Sequence, residues 1–275
     1  MNSDFLNKLV YKHQETISCP SPKDVVSAFN HLLGLMFPEH SDYKISGKDE
    51  LIVQLTKCKT DFTYLLSKAL NNNLAKGQEI SSKLFIEIEA TKKKLDNDVE
   101  SMFLGDPAAK SISEVIRTYP GFYAIAAYRI AHLLHEQDIP LIPRIITEHA
   151  HSHTGIDIHP GAQIGSHFCI DHGTGIVIGE TTEIGDHVKL YQGVTLGALS
   201  VSKDQASSKR HPTIGNNVVI YARTTILGGN TTIGNNCIIG GNVWLTSSIA
   251  RDTKVYYNIN KEAYSNTEKL IYKTA

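Results

Sequence analysis

Two hydrophobic rhythms divide the chain. Over its first 150 residues or so, apolar side chains recur at helical spacing. Val25, Val26, Phe29, Leu32, Leu33 and Met36 form one stripe, and Leu51, Leu55, Cys58, Phe62, Leu65, Leu66 and Ala69 form another. Ser21-Pro22 stands ahead of the first stripe as an N-cap followed by proline at the first helical position. A third pattern, Leu84, Phe85, Ile88, Leu95, Val99 and Phe103, stops at Gly105-Asp106-Pro107, and a fourth helix is predicted from Gly121 to Glu136.

From Ile158 onward the period becomes six. Ile158, Ile164 and Ile170 set it, and Ile178, Ile184, Leu190 and Leu196 resume it after a two-residue slip. Beyond an interruption at residues 198–212 it returns at Ile214, Ile220 and Ile226, and after a one-residue slip at Ile233, Ile239 and Leu245. The position four later is small or β-branched at Thr174, Thr182, Val188, Val194, Val218, Thr224, Cys237 and Val243. No α-helix has a period of six, whereas a coil of three short strands needs one inward aliphatic residue per face, the signature of a parallel β-helix. About four coils are expected, and hexapeptide prisms wind left-handed, against the usual crossover rule. Gly and Asn after the aliphatic position, as in Ile214-Gly215-Asn216-Asn217, are expected at corners that need positive φ. The predicted fold class is α+β. Residues 1–150 form a helical domain, 151–250 a left-handed β-helix with an extruded loop, and 251–275 a C-terminal tail.

Composition narrows the function. A formal net charge of −1 gives no reason to expect nucleic acid or an anionic membrane as partner, and Lys92-Lys93-Lys94 reads as a solvated helix face. The four cysteines, Cys19, Cys58, Cys169 and Cys237, are scattered, as in a reducing compartment. The N-terminus lacks an apolar signal region, and Arg129 and His132 break the most apolar stretch, so a soluble cytoplasmic protein is expected.

Chemistry is sought where the repeat breaks, because a β-helix by itself licenses no reaction. Three segments stand out: Asp157-Ile158-His159-Pro160 at the prism entrance, Asp171-His172-Gly173-Thr174-Gly175 beside the two-residue slip, and the excursion from Ala198 to Arg210-His211-Pro212. An imidazole can take a proton from an alcohol while a carboxylate fixes its tautomer. His172 and Asp157 lie 15 residues apart, close to the length of one coil, and could form such a dyad. His149, His151, His153, His167 and His187 are read as solvated. Asp157 with His159 could equally be a helix end, and Arg210-His211-Pro212 an ordinary loop exit.

Taken in order, Asp106-Pro107-Ala108, Gly121-Phe122, Ala127-Tyr128-Arg129-Ile130, Asp157-Ile158-His159-Pro160, Asp171-His172-Gly173-Thr174-Gly175-Ile176, Gly179-Glu180-Thr181, Gln192-Gly193-Val194-Thr195-Leu196-Gly197 and Arg210-His211-Pro212 resemble the serine O-acetyltransferases. The match runs from residue 104 or so to 245. The resemblance implies transfer of acetyl from acetyl-CoA to the L-serine hydroxyl, the first step of cysteine biosynthesis. It implies that His172 is the general base, that Asp157 orients it, and that His211 sits against the reacting group. Asp106 and Asp171 would hold the substrate ammonium and Arg210 its carboxylate. Gly197 and Ala198 would lie by the acyl oxygen, and Ala222, Gly240 and Gly241 along the acetyl-CoA groove. No metal is implied. The family is also trimeric or a dimer of trimers paired through the helical domain, and feedback inhibition by L-cysteine would use the same pocket.

The chain departs from the family at several positions. Ala198 and Tyr221 replace usual glycines, one residue is added near Gly228-Gly229-Asn230, and the Ala198–Ser208 loop is longer. The family's Gly-Val-Pro-Ala segment after Leu245 is missing. The tail ends Leu270-Ile271-Tyr272-Lys273-Thr274-Ala275 rather than in Ile, so a complex with cysteine synthase is not expected. The alternatives are a hexapeptide acyltransferase acting on a sugar, homoserine or antibiotic hydroxyl, a γ-type zinc carbonic anhydrase using His172, His187 and His211, and a non-catalytic prism.

Overall fold

The computed structural model describes residues 1–15, 19–199 and 208–257. Most of the extruded loop and the chain end from residue 258, including Leu270 to Ala275, therefore lie outside the described residues. Helices α1 (Ser3–Glu15), α2 (Pro22–Met36), α3 (Lys48–Ala69), α4 (Leu74–Gly105), α5 (Ile112–Thr118), α6 (Pro120–His135) and α7 (Ile142–Thr154) come first. Ser21 caps α2 by accepting the Asp24 N–H, with Pro22 opening the helix as its sequence predicts. Asn73 caps α4 in the same way through the Lys76 N–H. Helices α1, α5 and α7 were not expected. Helix α1 buries no residue and so leaves no core stripe, and the buried positions of α7, Ile142, Ile146, Thr147 and Ala150, alternate with a histidine-rich face.

Fourteen short strands follow among the described residues, wound into three parallel sheets. The first sheet stacks β1 (Asp157–Ile158), β4 (Val177–Ile178), β7 (Thr195–Gly197), β10 (Thr225–Leu227) and β13 (Trp244–Leu245). The second stacks β2 (Gln163–Ile164), β5 (Glu183–Ile184), β8 (Thr213–Ile214) and β11 (Thr232–Ile233). The third stacks β3 (Cys169–Asp171), β6 (Lys189–Tyr191), β9 (Val219–Ile220), β12 (Ile238–Ile239) and β14 (Lys254–Val255). The first and third sheets have five rungs each, so the solenoid makes about five turns rather than four. Each aliphatic residue of the six-residue beat points into the prism, giving columns such as Ile158, Ile178, Leu196, Ile226 and Leu245. Burying each is worth about 1.5–3 kcal/mol.

At the corners the expectation of positive φ holds for asparagine and fails for the glycine after the aliphatic position. Positive φ falls on Asn217 and Asn236, three residues after the aliphatic position, and not on Gly215. Gly215 is needed for close stacking instead: a Cβ there would lie 2.4 Å from the Asn235 side-chain oxygen and 2.9 Å from its backbone N in the next coil.

Helix α6 closes the open end of the prism. Strand β2 is terminal in its sheet, and its neighbouring carbonyls would otherwise face an apolar contact. The Tyr128 hydroxyl donates to Ala162 O (2.6 Å), the His132 ring to Pro160 O (2.7 Å), and Arg129 to Ile164 O (3.3 Å) and Gly165 O (2.7 Å). The same guanidinium makes a two-point pair with Asp98 of α4 at 2.6 and 2.9 Å, and Asp98 accepts the Phe168 N–H at 2.8 Å. Both charged side chains are buried. No helix of the described residues is long and apolar enough to cross a membrane.

Removing one partner of this pair leaves the other charge buried and alone. Asp98→Ala is expected to cost about 3–5 kcal/mol in urea unfolding, whereas the apolar double replacement Asp98→Leu/Arg129→Met costs much less. Equal losses in both variants would assign the effect to packing rather than charge.

Candidate active site

The interval from Ile170 to Ile178 is eight residues where the repeat needs six, and the surplus enlarges the corner between the third and first sheets. Ile176, rather than Thr174, fills the small inward slot there. The enlarged corner holds His172 outward at φ +60°, its side chain 73% exposed. His172 Nε2 lies 3.7 Å from Asp171 Oδ1, and Asp171 Oδ2 is 2.7 Å from Lys189 Nζ. Asp106, the C-cap of α4, joins the cluster and accepts from the Tyr119 hydroxyl (2.5 Å) and the Ala108 N–H (2.8 Å). These two bonds, with the charges of Lys189 and His172, hold Asp106 below the usual carboxylate range, and the same Asp106 contact pushes Tyr119 up to about 12. Ala222, Gly240 and Gly241 occupy this corner in later coils, where Tyr221 stacks flat on Tyr191 at 4.9 Å between ring centres.

Arg210 and His211 lie at a different corner, between the first and second sheets, with Gly197 and Ala198 at the start of the excursion. Thr181 organises it. Its hydroxyl oxygen accepts the N–H groups of Arg210 (2.9 Å) and His211 (3.1 Å), and His211 Nδ1 lies 3.1 Å from the Thr181 N–H and 2.9 Å from its hydroxyl. With two donors already on its oxygen, the Thr181 hydroxyl proton goes to Nδ1, which assigns the neutral imidazole proton to Nε2. Arg210 pairs with Glu180. Burial, then the Arg210 charge, pulls His211 down to about 4, and burial followed by Arg144 does the same to His159. Gly179 permits the His211 ring to lie where it does, because a Cβ there would come within 2.0 Å of Cδ2.

Asp157 makes no direct contact with His172 among the described residues. It opens β1 beneath α7, where Glu148 and His151 approach it closely enough for the three to share one small cluster. Among the described residues no hydrogen bond joins Asp157 to His172, and burial raises the Asp157 carboxyl above its ordinary value. The carboxylate beside His172 is Asp171, its neighbour in sequence. The histidines considered for zinc are dispersed over three corners. His187 stacks on His167 at 4.2 Å and His211 is engaged by Thr181, so the three do not converge within one chain. Lys189, Tyr119 and Thr181 escaped the sequence reading. Only Thr181 carried a signal, its place in Gly179-Glu180-Thr181.

No family model matches the chain. A plasmid-borne serine acetyltransferase of Synechococcus elongatus is 55% identical over 163 residues, which are 58% of this chain and 51% of that protein, so the chain spans about half the length of that relative. The serine acetyltransferase of Bacillus licheniformis is 49% identical over 153 residues, covering 56% of this chain and 69% of the relative. The crystal structure of Entamoeba histolytica serine acetyltransferase 1 in complex with L-cysteine superposes with a TM-score of 0.77 at 36% identity, covering 83% of this chain and 86% of that one.

Two outcomes test the corner at His211. In the folded chain His159 and His211 stay neutral down to about pH 4, whereas unfolded they take up protons near 6.5. The unfolded state binds more protons in that window, so stability falls as pH drops from 6.5 or so towards 4. Thermal melts across this range should show the decline, and His159→Asn, which keeps an acceptor for the Gly161 N–H, should flatten it. Gly179→Ala should cost about 1–3 kcal/mol by overpacking and raise the titration of His211 in NMR. An unmoved titration would mean that the ring has another seat.

Proposed function

The chain belongs to the serine acetyltransferase family, and from that premise we propose that it transfers acetyl from acetyl-CoA to the hydroxyl of L-serine, giving O-acetylserine and CoA. One observation carries the reading. An acidic corner with an exposed imidazole, Asp106, Asp171 and His172, and a cationic corner with a neutral imidazole, Arg210 and His211, flank the first sheet. An amino acid needs one partner for each of its charges, and a planar carboxylate suits Arg better than Lys.

The two corners stand at opposite edges of one prism face. A six-residue side spans up to about 20 Å, too far for one small substrate to bridge. On this proposal two prisms pack side by side with the cationic corner of one chain against the acidic corner of the next, in a closed ring of three. The residues proposed for acetyl-CoA divide in the same way, Gly197 and Ala198 at one corner and Ala222, Gly240 and Gly241 at the other. The site therefore belongs to a trimer, and the helical domain is free to join two trimers.

In this arrangement neutral His172 removes the serine hydroxyl proton as the oxygen adds to the thioester carbonyl. The tetrahedral oxyanion collapses, the C–S bond breaks, and the CoA thiolate takes the proton back from the imidazolium. General-base assistance supplies about 10² to 10⁴-fold, and holding both substrates in one cleft supplies more. His211, fixed with its proton on Nε2, is a hydrogen-bond donor for the developing oxyanion or the serine oxygen. The Gly197 and Ala198 backbone offers a second. L-Cysteine differs from serine by one atom and fits the same charge pair, so it is proposed as an inhibitor of this chain. The Entamoeba relative was solved with cysteine bound.

Release of CoA in the presence of serine, homoserine or a galactoside distinguishes the acceptors. Serine should be the substrate, and turnover of the sugar with none of serine would sink the reading. His172→Ala should lower kcat by about 10² to 10⁴-fold while leaving acetyl-CoA binding in place.

A further inference from the structure

Lys189 stands at the centre of the acidic corner. Its ammonium lies 2.7 Å from Asp171 Oδ2 and 2.7 Å from the carbonyl of Gly105, and it faces the Tyr191 ring at 4.5 Å from the ring centre. A carboxylate, a backbone carbonyl and an aromatic face thus hold a side chain that is 16% exposed. Gly105 is the last residue of α4, where carbonyls lack intrahelical partners and the helix dipole is negative. Asp106 follows at once. One cation therefore ties together Asp171 on β3 and the helix end that carries Asp106.

Asp106 and Asp171 bring two carboxylates to this corner, and Lys189 contacts only one of them directly. Asp171 already has an ammonium partner, and Asp106 is bonded only to a hydroxyl and an N–H. We infer that Lys189 is a positioning residue that locks Asp171 beside His172 and cancels its charge, leaving Asp106 as the carboxylate that receives the substrate's ammonium group. This inference rests on the serine acetyltransferase reading and divides the labour between two aspartates that the family resemblance treats alike. Burial draws the Lys189 ammonium down, but its bonds to Asp171 and Tyr191 outweigh this and leave it raised, a permanent cation.

Removing the cation leaves two uncompensated carboxylates beside His172, which favours the imidazolium over the neutral base. Among the described residues, the ionisable groups around this corner are Asp106 from α4, Tyr119 with Glu114 behind it, Asp171 and Cys169 from β3 with His172 after it, Lys189 and Tyr191 from β6, and Tyr221 and Arg223 in a later coil. Of these, Lys189 is the ammonium that contacts Asp171.

The test is the pH profile of kcat/KM for serine at saturating acetyl-CoA, using the full chain. Lys189→Met should move the acidic limb to higher pH by about half a unit or more, discounted for solvent exposure of the imidazole. Lys189→Gln, which keeps a donor for the Gly105 carbonyl, should do the same and replaces the methionine variant if that fails to fold. Lys189→Arg should restore the wild-type limb. Asp106→Asn should raise the serine KM by about 10-fold or more, the scale of a lost charge-assisted bond, and Asp171→Asn by much less. A lower kcat with an unmoved limb in both neutral variants overturns the inference and leaves the function standing. A wild-type chain that does not turn over serine overturns both.

Discussion

The buried pair of Asp98 and Arg129 is the joint on which the molecule depends. A stacked β-helix needs its first coil covered, because that coil has carbonyls with no coil above to receive them. Arg129 meets two of those carbonyls while its charge is matched by Asp98, which in turn takes the Phe168 N–H. Three segments distant in sequence, α4, α6 and the first coil, are fixed to one another by two side chains. A looser apolar contact would bury area but would not set register. Here register matters, because α4 ends at Asp106 and that end must reach the corner holding Asp171.

The repeat itself is chemically silent, and the candidate site lies where it is broken. Two surplus residues before Ile178 push His172 out of the wall. The excursion after Gly197 returns through Lys209 to Pro212, and Thr181 gathers its end by bonding Arg210 and His211 at once. The extra residue near Gly229 lies under the root of that excursion, where a Cβ on Gly229 would come within 2.2 Å of Lys209 O. Each insertion is thus absorbed at a corner, and the inward columns stay in register on either side.

This division explains what could be read from residues alone. The inward aliphatic columns were legible because a residue's direction within a coil depends on its position in the repeat. Helices α2, α3, α4 and α6 were legible because each buries a stripe. Helix α1 was passed over although Phe5, Leu6, Leu9 and Val10 keep helical spacing, and the structure leaves all four exposed. The expected pairing of Asp157 with His172 rested on a separation close to one coil, but spacing along a solenoid gives the rung and not the direction of a side chain. Asp157 lies beneath α7 beside Glu148 and His151, on a helix that the hydrophobic pattern did not mark. Lys189 was silent for a related reason: next to the inward Leu190 it looks like any outward polar residue, and its importance comes from a helix end that arrives from 84 residues earlier.

At each corner one charge is paired before any substrate arrives, Arg210 by Glu180 and Asp171 by Lys189. Left unpaired, partly buried charges at these edges would bear a desolvation cost without return. On the reading proposed for the site, a zwitterion suits this design. Its carboxylate can displace Glu180 from Arg210 while its ammonium meets Asp106, so the site exchanges partners without acquiring net charge. A neutral sugar hydroxyl brings no charge to replace Glu180 on Arg210 and would leave Asp106 unpaired. On that reading, discrimination between the two acceptor classes comes from charges already in place in the free protein, with the two imidazoles, one exposed on a widened corner and one buried as a neutral donor, left for the chemistry.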